Sequence, residues 1–181
     1  KIMEMVNQGI LVQLRRGLYM TSPLVSKITP EPFLIANHLY GPSYISLDSA
    51  LFHWGLIPER VFEISSVTPK TSKRFLAQNV DYSFTHLPIT YYPLGIQSLP
   101  LTENQTVLIA SPEKALCDKV ITTAGINLRS KQQAMAFLVE DLRIDKDQLR
   151  ELNLREMVKW LPVCSKRKSI QCTIEMIEMI S

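Results

Sequence analysis

Arg15 and Arg16 stand side by side, followed by Gly17, between two apolar runs. The runs are Ile10-Leu11-Val12-Gln13-Leu14 and Leu18-Tyr19-Met20-Thr21, both β-prone and extended. Gly17 suits a turn that needs positive φ, so the segment reads as a hairpin with two guanidinium groups at its tip. Guanidinium groups so placed can grip backbone phosphates or enter a minor groove, as the wing of a winged helix does. The plainer reading is a solvated, charged turn. Residues 1–30 carry Lys1, Arg15, Arg16 and Lys27 against Glu4 alone. A second cluster, Thr68-Pro69-Lys70-Thr71-Ser72-Lys73-Arg74, holds three cations, no acid and several hydroxyls. It follows a strand and is expected to be an exposed loop, with Lys70, Lys73 and Arg74 as further DNA contacts. A third, Lys166-Arg167-Lys168, falls between two C-terminal helices and reads first as a solvated loop. The net charge of +3 is only a mild bias, so the location of charge matters more than its sum.

Catalytic and metal chemistry is harder to assemble. Six glycines are scattered without a phosphate-cradling spacing, and neither an H-E-x-x-H nor a G-x-S-x-G pattern occurs. His38, His53 and His86 lie on different elements. Asp48 and Glu113 fall at helix starts, where carboxylates stabilise unpaired N–H groups. Cys117, Cys164 and Cys172 are odd in number and form no C-x-x-C pair, which points to reduced intracellular thiols. No catalytic residue, metal site or cofactor is assigned. Tyr91 and Tyr92, adjacent in an expected strand, would face opposite sides, while Phe62, Phe84 and Trp54 fit core positions.

The elements that must hold these residues follow from periodicity. Apolar residues make up 46% and charged residues 20%, an ordinary globular balance. No apolar run approaches the roughly 18–20 residues of a membrane span. The N-terminus shows no secretory h-region. Residues 1–22 read as a helix end, capped near Gly9, then the hairpin. A helix is expected over 24–40, with Thr29 as its N-cap and Pro30 at its first position. Another is expected over 43–57, capped by Ser46, with Leu47, Ala50, Leu51, Trp54 and Leu56 on its buried stripe. Strands are expected at Val61–Val67, Tyr82–Leu87, Ile89–Leu94 and Val107–Ala110. Ser111-Pro112-Glu113-Lys114 then opens a helix, with Ala115, Leu116, Val120 and Ile121 on one face. Helices over about 130–142, 145–161 and 169–180 complete the chain. The fold class is α+β. Residues 1–23 are expected to form the C-terminal part of a winged helix-turn-helix. Residues 24–181 are expected to form a mixed or antiparallel sheet domain with C-terminal helices.

Three segments in this order carry a resemblance. They are Ile10 to Tyr19 with Arg15-Arg16-Gly17, Tyr44-Ile45-Ser46-Leu47-Asp48-Ser49-Ala50-Leu51 with Gly55 to Pro58, and Ala110-Ser111-Pro112-Glu113-Lys114-Ala115-Leu116-Cys117-Asp118. Over about residues 1–120 the chain resembles the AbiEi antitoxin family of type IV toxin–antitoxin (abortive infection) systems. The resemblance implies a winged helix that represses its own operon by binding operator DNA. It also implies a C-terminal domain that counters a nucleotidyltransferase-like toxin. Carried over by position, Arg15 and Arg16 match the wing, and Gly17, Leu18 and Tyr19 match its return strand. Residues 111–118 match a signature helix that reads as fold-forming. A complete winged helix has about two further helices before its wing, so the resemblance implies that only the last turns of the recognition helix are in this chain and that the reading helices lie mostly upstream of Lys1.

The leading expectation is therefore a cytoplasmic, non-catalytic autorepressor and antitoxin. Its partners would be operator DNA and a toxin, with no membrane partner and no cofactor. One alternative is a protein-interaction domain that binds a toxin or another partner without reading DNA. Another is a cryptic nuclease or transferase built from Asp48, Glu113, Lys114 and Asp118.

Overall fold

A computed structural model describes residues 1–181 and shows a mixed α+β fold. Helix α1 (Ile2–Asn7) leads into a hairpin of β1 (Leu11–Arg15) and β2 (Leu18–Thr21). The two strands form a small sheet of their own. Gly9 turns the chain at φ 70 and Gly17 closes the hairpin at φ 81. Met20 is buried in the main core, and Val12, Leu14 and Leu18 pack against it.

Between hairpin and domain the expected start of the second helix moves. Helix α2 is Pro32–Leu39, with Glu31 at its N-cap and Pro32 at its first turn, so Thr29 and Pro30 lie outside it. Two causes act together. A residue before proline is driven to extended geometry, and Glu31 has φ −63 and ψ 145. The buried Gln105 amide also clamps this stretch, donating to the Thr29 carbonyl at 3.0 Å and accepting from the Glu31 N–H at 2.7 Å.

The main sheet has six strands in the order β5-β6-β4-β3-β8-β7. They are β3 (Tyr44–Ile45), β4 (Ile64–Thr68), β5 (Lys73–Ala77), β6 (Val80–His86), β7 (Ile96–Thr102) and β8 (Gln105–Ala110). The sheet is mixed: β3 runs parallel to β8, and β4 parallel to β6, while the other pairs are antiparallel. Three strands differ from the sequence expectation. The two-residue β3 sits inside the expected 43–57 helix, so helix α3 is only Leu47–His53. Strand β5 begins inside the 68–74 cluster expected to be an exposed loop, and β7 lies where no strand is expected. Both are edge strands, and β7 carries Pro100, which an edge tolerates.

The expected strand Ile89–Leu94 is instead a series of turns. The N–H groups of Tyr91 and Tyr92 both bond the Pro88 carbonyl, and the two rings are both buried rather than split between faces. Phe62 departs from its expected core position as well: it is 81% exposed, ahead of β4, beneath the Arg60 guanidinium.

Helix α4 (Pro112–Thr122) starts as its sequence indicates, with the Ser111 hydroxyl accepting from the Lys114 N–H at 3.2 Å. Its expected face, Ala115, Leu116, Val120 and Ile121, is buried. The C-terminal helices are α5 (Lys131–Met135), which runs on into a π-helical turn over Ala136–Asp141, then α6 (Lys146–Arg150), α7 (Leu154–Trp160) and α8 (Arg167–Ile180). Helices α7 and α8 pack on α4, and α5 and α6 pack on α8. The sheet thus has α3 and α4 on the face of Tyr44. Helix α2 ends on the opposite face, where Tyr40 meets Phe75 and Phe84.

Candidate nucleic-acid interface

At the hairpin, Arg15 and Arg16 are exposed and neither forms an ion pair with an acid. Arg15 folds back so that Nη1 donates to the Arg16 carbonyl at 3.1 Å. The register slips between Gln13 and Arg15, a bulge that re-aims the side chains at the tip. A Cβ at Gly17 would meet nothing within 4 Å. Glycine is therefore required there for its positive φ, not for room.

The second basic cluster is divided by the sheet. Thr68 closes β4, and Lys73 and Arg74 open β5, so only 69–72 form the exposed connection. Lys73 pairs with Phe84 and Arg74 with Ser83, which puts the two cations on opposite faces. Lys70 and Lys73 share the Tyr40 ring, with Nζ atoms 5.4 and 5.8 Å from its centroid. Lys70 also donates to the Gly41 carbonyl. Tyr40 and Lys70, but not Lys73, line a hollow of about 610 Å³ together with Pro69, Thr71, Ser72 and His86. Arg74 faces away toward Glu63 at 3.7 Å, an exposed pair worth at most about 1 kcal/mol. The structure thus keeps Lys70 and Lys73 together and separates Arg74 from them.

The third cluster is not a simple loop. Lys166 points inward, and its Nζ donates to the carbonyls of Val120 at 3.1 Å, Thr123 at 2.9 Å and Ile126 at 2.7 Å. It therefore caps the C-terminal end of α4 and the turn beyond it, where cations are favoured. Burial pulls its pKa below the ordinary lysine value.

Of the four residues considered for catalysis, only Lys114 and Asp118 meet. Lys119 Nζ bonds both carboxylate oxygens of Asp48, at 2.7 and 2.8 Å. Glu113 accepts from the Ser111 hydroxyl at 2.8 Å and from the Asn153 N–H at 2.9 Å, tying α4 to the start of α7. Lys114 and Asp118, one helical turn apart, are both fully buried, with Nζ 3.0 Å from Oδ1. The other oxygen, Oδ2, accepts from Ser46 Oγ at 2.7 Å and Tyr44 Oη at 2.9 Å. Lys114 Nζ lies 3.2 Å from the Tyr91 ring centroid and 3.2 Å from the Tyr91 carbonyl, to which it donates. Gly95, at φ 64, closes the enclosure: a Cβ there would come within 2.8 Å of Trp160 and 2.9 Å of Lys114. Burial raises Asp118 and lowers Lys114, each toward its neutral form, while their mutual attraction opposes both shifts. Tyr44 is pushed far above the usual phenol value, by burial first and then by the Asp118 charge.

Sequence reasoning did not find Tyr44, Ser46 or Tyr91 as partners of this pair. One signal was present: Lys114 and Asp118 stand at i and i+4 amid the apolar face of α4. Another was the i, i+2 spacing of Tyr44 and Ser46 along extended backbone, which points both side chains to one face. Ser46 holds the N-cap position of α3 but spends its hydroxyl on Asp118, so α3 has no side-chain cap. The histidines are spread over α2, α3 and β6, and His53 packs edge-on against Phe33 and Trp54. No helix is long and apolar enough to cross a membrane. No protein-family model matches the chain, and a search of curated proteins gives no match.

Proposed function

We propose that the chain is part of a cytoplasmic, non-catalytic regulator that represses its own operon and counters a nucleotidyltransferase-like toxin, as its resemblance to AbiEi antitoxins implies. The observation that carries the DNA-binding half is the hairpin tip: two exposed arginines without acidic partners, on a bulged turn footed in the core. Two exposed guanidinium groups without a carboxylate partner act in that setting as phosphate anchors, and a helix upstream would read the major groove. Lys70 and Lys73 are proposed as a second contact, with Arg74 outside it. The antitoxin half rests on the resemblance. Its two domain segments, 44–51 and 111–118, supply Tyr44, Ser46, Lys114 and Asp118 to one buried network, which suits a fold-forming signature better than a catalytic one.

The test is an electrophoretic mobility shift of the full-length protein on the DNA upstream of its own coding sequence. The affinity should fall steeply between 50 and 200 mM salt, as phosphate-dominated binding does. Changing Arg15 and Arg16 to alanine should weaken it at least tenfold. Unchanged affinity would remove the hairpin from the interface. For the antitoxin half, co-expression with the toxin should restore growth, and loss of rescue in a folded variant would locate the surface. A second reading, a protein-docking domain, draws on Leu24, Val25 and Ile28, which stand 89%, 60% and 62% exposed between hairpin and α2. Toxin co-purifying with the wild type but not with a Leu24→Ser, Ile28→Ser variant would favour it.

A further inference from the structure

The third basic cluster gains partners from a distant part of the chain. Arg167 and Lys168 lie in the first turn of α8, and Arg129 and Lys131 flank Ser130 at the start of α5. All four are exposed and none is paired with an acid. They line one cleft of about 680 Å³, whose only acidic lining residue is Glu175. Arg167 and Lys168 also line a second, adjoining hollow of about 740 Å³ that extends past Ser165 to Thr122.

This convergence is built by buried groups. Ser169, 1% exposed, accepts the Leu128 N–H at 3.0 Å and so fastens the segment carrying Arg129 to α8. The three carbonyl bonds of Lys166 fix the start of α8 against α4. Four like charges thus line one cleft on a fastened frame, with Glu175 as the one acid beside them. Arg167 and Lys168 carry a cost, because cations in the first turn oppose the helix dipole. Local rules broken in this way mark places where function outweighs stability. The two hollows are open, are lined mostly by polar residues, and share Arg167 and Lys168. That shape suits an extended polyanion running across the surface better than a small enclosed phosphate.

We propose that the cleft formed by Arg129, Lys131, Arg167 and Lys168 is a second nucleic-acid surface, which holds the phosphodiester backbone of duplex DNA without reading its sequence. The choice of duplex DNA rests on the proposed function; the cleft itself does not depend on the hairpin. Binding there adds affinity and salt dependence but no base preference, because phosphates carry no sequence information.

The experiment is a titration of the ¹⁵N-labelled full chain with a 12-base-pair duplex of arbitrary sequence, followed by amide shifts. The expected result is perturbation at residues 129–131 and 167–169, abolished in a Lys168→Gln, Arg167→Gln variant whose remaining spectrum is unchanged. That variant should also flatten the salt dependence of binding by about two units of slope. Shifts at residues 15–17 with none in the cleft overturn this inference and leave the proposed function standing. Shifts in the cleft with none at 15–17 support the inference and overturn the role given to the hairpin. No shift at either surface overturns both. An RNA duplex of the same length that perturbs the cleft at tenfold lower concentration overturns the assignment to DNA.

Discussion

At Lys114 a cation is enclosed by Asp118, a tyrosine ring and a backbone carbonyl, with no exposed surface. At Arg15 and Arg16 two cations stand in solvent with no acidic partner. The difference lies in what each charge interacts with. The buried pair stabilises only through its own partners, because water is absent, so every hydrogen bond around it becomes a condition of folding. The exposed arginines have little effect on the fold and remain free for an external anion. A basic residue in this chain therefore cannot be assigned to DNA by its charge alone. Lys166 makes the point, since it belongs to a basic triplet yet serves three backbone carbonyls.

The contrast can be broken most forcefully at Asp118. Replacing it by alanine leaves Lys114 buried without its counter-charge and should cost about 3–5 kcal/mol in denaturant unfolding. The double change to Lys114→Met and Asp118→Leu should cost clearly less, because no charge is left stranded. A double variant as unstable as the single one would mean that the pair itself, not its neutralisation, holds α4 in place.

A smaller effect is expected at Lys166. Lys166→Met removes three bonds to the end of α4 and should lower stability by about 2 kcal/mol, read from thermal unfolding. If stability does not change, Lys166 belongs with the exposed cations after all.

Alkaline pH separates the two regions in another way. Burial raises Tyr44 above its ordinary 10.0 and Cys117 well above its ordinary 9.0. A group raised by folding gives stability that is whole below its unfolded value and is lost as pH climbs toward its folded value. The folded state should therefore weaken from about pH 9 upward. Tyr44→Phe should flatten the fall above pH 10 by about 1.4 kcal/mol per pH unit, measured by chemical denaturation at successive pH values. An unchanged slope would mean that Tyr44 ionises as readily folded as unfolded.

The smallest stability effect belongs to the hairpin. Arg15→Ala with Arg16→Ala should shift unfolding by less than about 0.5 kcal/mol, as surface changes do. A loss of several kcal/mol would place these arginines with Lys114 as structural residues.

Much of this architecture was legible in local pattern. The cap at Ser111, the apolar face of α4 and the Gly17 turn all depend on neighbours within a few residues, and the structure has them where the sequence places them. Strands β3, β5 and β7 were not legible. Tyr44–Ile45 is too short to show a period, β5 opens with two cations, and β7 contains a proline. Tyr91 and Tyr92 read as a strand because aromatic residues favour extended backbone, but the bonds to the Pro88 carbonyl curl them into turns. The site divides in the same manner. Which residues are basic is plain from the sequence, whereas their partners are not.

The sequence by itself determined the element type where the local pattern was strong, as at the Ser111 cap, the Gly17 turn and the apolar face of α4, but not at Thr29. It also determined where the cations lie along the chain. Only the tertiary structure decided which cations are free. It put Lys73 and Arg74 on opposite faces of β5, turned Lys166 onto α4, and brought Arg129 and Lys131 beside Arg167 and Lys168. The physical reason is that pairing and burial of a charge depend on groups tens of residues away. Their approach is fixed by strand order and helix packing, which no local spacing encodes.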